Sequence, residues 1–230
     1  MIEFLFLDLD DTILDFHKAE WIALGKAFCH FGLEPTDTVM TRYSQINREH
    51  WEKLERKELT REQVLVGRFE TLFREFGLEV DPVLCARTYE GNLSVGHYFI
   101  PGAPEAVEAL SKRCKLYLAS NGTARVQAGR LKSANISHFF QEIFISQQIG
   151  ANKPDLTYFE RCFARIPGFD KSRAMIVGDS LTSDILGGIR AGIRTCWVNP
   201  DGKPGKAGIT PDYEIQALSQ LEALLDTIPE

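Results

Sequence analysis

No stretch of this chain approaches the run of about 20 apolar residues that crosses a bilayer, so no membrane span is expected. Positive charge is not in surplus: 26 lysines and arginines face 32 aspartates and glutamates, a formal net charge of -6. Without a basic excess to neutralise a phosphate backbone, a nucleic-acid polymer is excluded as the expected partner. A small anionic ligand is not excluded, since it needs only local positive charge. Cysteine is scarce, and Cys29, Cys85, Cys114, Cys162 and Cys196 are scattered, odd in number and never in C-x-x-C spacing. That pattern argues against a disulfide framework or zinc site and predicts reduced, mostly buried thiols in a cytoplasmic protein. The five histidines also lack ligand spacing. The first residues show no basic segment followed by a cleavable apolar one, so no leader is expected. Repeats and low-complexity tracts are missing too. A length of 230 residues with 44% hydrophobic and 25% charged content suits one large α/β domain, or a core with a smaller insertion.

What the chain does have is a concentrated beginning. Phe4-Leu5-Phe6-Leu7 reads as a strand buried on both faces, the mark of a parallel sheet covered by helices. Asp8, Asp10 and Asp11 follow as that strand ends, where the ligand crevice of a doubly wound sheet opens. Asp8 and Asp10 are two apart, so the strand period sends both side chains the same way. Two carboxylates facing one point repel, and a shared proton or a cation relieves them. Mg2+, which takes a few carboxylates together with waters and phosphate oxygens, fits the arrangement. An acidic turn after an edge strand is the plainer alternative.

After Thr12 the pattern becomes helical and stays so to about Val95. Trp21, Leu24, Phe28 and Phe31 recur at helical spacing, with Gly32 as a stop. A second helix is expected from near Thr36 to about Lys57. Thr60-Arg61-Glu62-Gln63 forms a capping-box candidate opening a third, which stops at Gly77. A fourth follows Asp81-Pro82. Strand and helix alternate again beyond Pro101, with short apolar strands at Lys115 to Ala119, Ile143 to Ile145, Ala174 to Val177 and Thr195 to Val198. This spacing predicts right-handed βαβ units. The expected organisation is a Rossmann-like, doubly wound parallel α/β core from residues 1–14 and 97–230, interrupted by an all-helical unit over 15–96.

Three more polar clusters fall after strands. Ser120-Asn121-Gly122-Thr123 precedes a helix, where free backbone N–H groups and a hydroxyl make an anion site; a helix-capping turn explains it equally well. Lys153 beside Pro154 can set a point charge on phosphate oxygens and on a carboxylate, though elsewhere a solvated loop lysine would be the default. Gly178-Asp179 closes another buried strand, and Asp184 follows one helical turn later as support.

Together Asp8-Leu9-Asp10-Asp11-Thr12, Ser120-Asn121, Lys153-Pro154 and Gly178-Asp179 through Asp184 resemble the four motifs of the haloacid dehalogenase-like (HAD) hydrolases, with no position missing. The likeness covers the whole chain and implies a helical cap inserted after the first motif. A narrower resemblance, to the pyrimidine 5′-nucleotidases of that superfamily, rests on Asp8 to Glu20, Asn47 with Trp51, Thr60-Arg61 with Arg68-Phe69, and Thr195 to Pro200.

The resemblance implies a Mg2+-dependent phosphomonoester hydrolase with Asp8 as nucleophile and Asp10 as acid and base. Ser120, Asn121 and Lys153 would bind the phosphoryl group. Asp8, the Asp10 carbonyl and Asp179 would hold the metal, with Asp184 and Thr12 as supports. Asp15, Phe16, Asn47, Trp51 and Arg68 are the cap residues expected near the leaving group, although ordinary packing also accounts for Phe16 and Trp51. The expected partner is a small phosphorylated metabolite, a nucleotide first, and the expected assembly a monomer or homodimer. Phosphoglycolate or sugar-phosphate hydrolysis and phosphomutase chemistry are the alternatives. A signalling receiver domain is disfavoured, because it needs a phosphorylatable Asp after the third strand and carries no large insertion. A binding protein without turnover is disfavoured by the intact motifs.

Overall fold

The structure is a computed structural model that describes residues 1–229. Strand β1 (Phe4–Leu7) is buried along its whole length. Its period of two sorts the residues: Leu5 and Leu7 enter one apolar cluster, Phe4 and Phe6 another. A strand buried on both sides must lie inside a sheet, and β1 does. Four helices then follow without an intervening strand: α1 (Phe16–His30), α2 (Asp37–Glu55), α3 (Arg61–Phe76) and α4 (Pro82–Leu93). The rest of the chain is α5 (Ala103–Ser111), β2 (Lys115–Ser120), α6 (Ala124–Ala134), β3 (Phe140–Ile145), α7 (Ser146–Ile149), α8 (Leu156–Phe163), β4 (Ala174–Gly178), α9 (Leu186–Ala191), β5 (Arg194–Val198), β6 (Tyr213–Ile215) and α10 (Leu221–Thr227).

All strand pairs are parallel, in the order β3-β2-β1-β4-β5-β6. The chain winds from β1 out to β3, then returns past β1 to start β4. The winding therefore reverses between β1 and β4, and their carboxyl ends flank the crevice where such sheets hold ligands. Helices α5, α6 and α10 cover the face carrying Leu5 and Leu7. Helices α8 and α9 cover the other, where Phe6 stacks on Tyr117 at 5.2 Å and meets the edge of Phe163 at 5.6 Å.

The four inserted helices share a separate apolar cluster built on Phe28, Tyr43, Phe69 and Tyr89, which reaches the sheet layer through Val126 of α6. Local chemistry sets their ends. Thr60 and Gln63 form a reciprocal capping box, Gly77 ends α3 in the left-handed region, and Asp81 accepts from the first amides of α4. Strand β6 is not among the strands the sequence predicts. It is three residues long at a sheet edge, too short to display a period. No helix among the described residues is long and apolar enough to cross a membrane.

Candidate active site

The loop after β1 is a closed turn. Asp8 N continues the ladder to Val177 O, while Ile13 N and Leu14 N both fold back onto Leu9 O. Asp11 sits at φ 55°, a left-handed conformation that Asp tolerates better than most residues. Its carboxylate accepts from Phe16 N at 2.9 Å, tying the turn to the start of α1. Thr12 is fully buried beneath the turn, and its hydroxyl has no partner.

Lys153 lies at the centre, and a lysine this deeply buried must find acceptors for its charge. Nζ donates to Asp8 Oδ1 and Asp184 Oδ1, both at 2.6 Å, and to Ala119 O at 2.5 Å. Burial opposes its charge, yet Asp184 and Asp8 outweigh that and raise its pKa above the ordinary value. Asn121 clasps the same residue by its main chain, Oδ1 accepting from Lys153 N at 2.8 Å and Nδ2 donating to Lys153 O at 2.9 Å. Ser120 Oγ accepts from Gly122 N at 3.1 Å and from Gln127 Nε2 at 2.8 Å.

Carboxylate oxygens of Asp8, Asp179 and Asp184 lie within 4.8 Å of one another. Burial pushes Asp8 up to about 8 against the pull of Lys153. It drives Asp179 well above the carboxylate range, with Asp8 and Asp184 adding to the rise. Three carboxylates share one lysine, so a further positive charge is called for. An all-oxygen donor set of this kind suits Mg2+. The packing around it is tight: a side chain at Gly178 would collide with the Asp184 carboxylate, and Ser180 N donates to Asp184 Oδ2 at 3.2 Å. Asp184 lies on a π-helical turn, Leu181–Ile185, that precedes α9.

Asp10 takes no part in that triad. Its Oδ1 accepts from Arg130 and its Oδ2 from Gln127 Nε2 at 2.7 Å. From the helical insertion, Phe16, Trp51 and Arg68 line the same cavity as Asp8, Asp10 and Lys153. Asp15 and Asn47 do not. Asp15 caps α1, accepting from Lys18 N at 2.8 Å, as its place before a helix favours. Asn47 is consumed inside the insertion, donating to Glu20 at 2.6 Å and accepting from Arg68 at 2.7 Å. Arg68 is itself ringed by Tyr43, Phe69 and Tyr89.

Four residues of the site were not singled out from sequence as site residues. Gln127 and Arg130 stand three apart on α6, a spacing that places both on one face behind the Ser120-Asn121 turn. Arg61, at the start of α3, lies over Trp51 and donates to Asn121 O at 2.9 Å, Gly122 O at 3.1 Å and Asn152 Oδ1 at 2.5 Å. Glu55, at the end of α2, accepts from Thr182 at 3.0 Å, and burial pushes it up to about 7. The last two link the insertion directly to the loops of the sheet.

The sequence profile of the haloacid dehalogenase-like hydrolases matches residues 5–198, and the chain belongs to that family. It is 40% identical to the HAD-hydrolase YfnB of Bacillus subtilis over 96% of its own length and 94% of that protein's. A crystal structure of YfnB bound to magnesium, which reveals interdomain movement, superposes with a TM-score of 0.93 over 98% of this chain and 99% of the other. The chain is also 35% identical to the pyrimidine 5′-nucleotidase PynA of Streptococcus pneumoniae over 97% of its length and 95% of PynA. Identity to the Escherichia coli pyrimidine 5′-nucleotidase YjjG is 29%, over 97% of each chain.

Proposed function

We propose that this protein is a Mg2+-dependent phosphoric monoester hydrolase of the cytoplasm that cleaves nucleoside 5′-monophosphates, pyrimidine forms ahead of purine ones. The observation that carries the chemistry is the Lys153 bridge between Asp8 and Asp184 beside Asp179, in one cavity with Phe16, Trp51 and Arg68. The pyrimidine preference draws on the relatives named above and on aromatic surfaces suited to a base.

Lys153 occupies Asp8 Oδ1, which leaves Oδ2 as the attacking atom. Oδ2 forms a bond to phosphorus while the ester P–O bond breaks, giving an aspartyl-phosphate. The departing alkoxide takes a proton from Asp10. Water then attacks the phosphorus and gives its proton back to Asp10; phosphate leaves, and the Asp8 carboxylate is restored. Lys153, the Ser120 hydroxyl and the Asn121 N–H hold the phosphoryl oxygens as charge shifts. Asp8, the Asp10 carbonyl and Asp179 would hold Mg2+, with Asp184 behind them. When bound, the ion screens the repulsion between carboxylate and phosphate. The insertion over 15–96 serves as the cap, and its place above the phosphate site restricts leaving groups to those small enough to lie beneath it.

The test is kcat/KM for dUMP, dTMP, UMP, AMP, phosphoglycolate and a panel of sugar phosphates at one Mg2+ concentration. The pyrimidine nucleotides are expected to lead. If a sugar phosphate or phosphoglycolate exceeds every nucleotide by tenfold, about 1.4 kcal/mol of transition-state preference, the nucleotidase reading fails and the phosphatase reading stands.

A further inference from the structure

We propose that Arg130 is a positioning residue for Asp10, presenting its carboxylate as the acceptor that draws the proton from water when the aspartyl-phosphate is hydrolysed. The inference rests on the phosphatase reading given above. Arg130 is completely buried in α6, outside the helical insertion. Burying a guanidinium is costly unless its hydrogens are taken up. Nε donates to Gly96 O at 3.0 Å, and Nη1 donates to Asp10 Oδ1 and to Gln127 Oε1, the latter at 3.1 Å. Nη2 has no partner. Gln127 completes the grip by donating to Asp10 Oδ2 at 2.7 Å.

Each oxygen of Asp10 therefore has its own donor, and the plane of the carboxylate is fixed rather than free to turn. A carboxylate gripped in this way is displayed as an acceptor, which is the form that removes a proton from water. Arg130 also reaches both points where the chain passes between the sheet and the insertion. Its guanidinium lies 5.7 Å from the ring of Phe16, the first residue of α1, and its Nε holds Gly96, just beyond α4. A residue that only filled space here would not need a charge matched to Asp10. The orientation of Asp10 is thereby tied to the seating of the insertion.

p-Nitrophenyl phosphate separates the two half-reactions. Nitrophenolate leaves without needing a proton, so phosphorylation of Asp8 stays fast and the hydrolytic step is exposed. Arg130→Gln is expected to release a burst of nitrophenolate approaching one equivalent per enzyme, followed by a steady-state rate lowered about 100-fold. Arg130→Lys keeps the buried charge but lacks the fork that serves Asp10 and Gly96 together, so it should recover part of the steady rate. Adding Arg130→Gln to Asp10→Asn should cost nothing further. A steady rate near that of the parent would overturn the proposal, and so would a loss without a burst, which is what a purely structural defect gives. If circular dichroism shows Arg130→Gln unfolded, Arg130→Lys decides by the same readout. A parent protein inert on nitrophenyl phosphate and on nucleotides would instead remove the phosphatase reading, and this proposal with it.

Discussion

Asp8→Asn is expected to lower kcat by at least about 10^4-fold in a protein that stays folded. The substitution preserves shape and deletes only the attacking oxygen's charge, so binding survives while the covalent step does not. Lys153 keeps Asp184 and Ala119 O as acceptors. The stability readout has a definite sign in metal-free protein. Burial raises the Asp8 carboxyl from 3.8 to about 8, so between those values the folded state holds a proton that the unfolded chain has released. Stability then falls as pH rises through that window. Asparagine has no such proton to lose. Thermal midpoints of the variant should match the parent at low pH and lie at or above it near pH 8. Substantial turnover by the folded variant would show that another group attacks.

Removing divalent metal is expected to abolish turnover nearly as completely. Asp8, Asp179 and Asp184 crowd within 4.8 Å with one lysine among them, so without a cation Asp8 is both repelled by its neighbours and prone to hold a proton. Activity should vanish with chelator and return with Mg2+. Ca2+ should restore little, because it takes more ligands at longer distances and loosens the geometry an in-line attack needs. Mg2+ should also raise the thermal midpoint, by an amount that keeps growing with the logarithm of its concentration above Kd. Full activity in chelated protein would exclude this site as the seat of the reaction.

The parts of the site visible in the sequence are those that strand ends deliver. Asp8 and Asp179 follow short apolar runs, and a buried strand that stops at a carboxylate announces a crevice whatever else the chain does. The helical insertion was equally legible, because Thr60, Gly77 and Asp81 punctuate it with local chemistry. Partners supplied by tertiary packing were not. Nothing local distinguishes Arg130 from a solvated arginine until α6 is laid against Asp10. Arg68 and Asn47 illustrate the same limit within the insertion. Polar residues on a helix stripe suggest a ligand, yet Asn47 is taken by Glu20 and Arg68, and Arg68 lies among aromatic rings. Asp15 shows that an acidic residue just after the Asp8–Thr12 motif is sometimes a helix cap. β6 was too short an edge strand to be seen.

The placement of the insertion also bears on how the chain is made. β1 is the first strand synthesised, yet Phe4 pairs with Lys115 on one side and with Ala174 on the other. The strand that leads to Asp8 is therefore an apolar ribbon that gains its first neighbour once β2 has left the ribosome and its second only with β4. The four inserted helices pack on one another within residues 16–93, nearer in sequence than Phe4 is to Lys115, and contacts of shorter separation form faster. The insertion is expected to gain amide protection from hydrogen exchange before β1 does, a sequence that pulse labelling during refolding would record. Protection of β1 first would mean that the sheet assembles independently of the helices. On this order of events the strand leading to Asp8 is born first yet flanked on both sides only once β4 has been made.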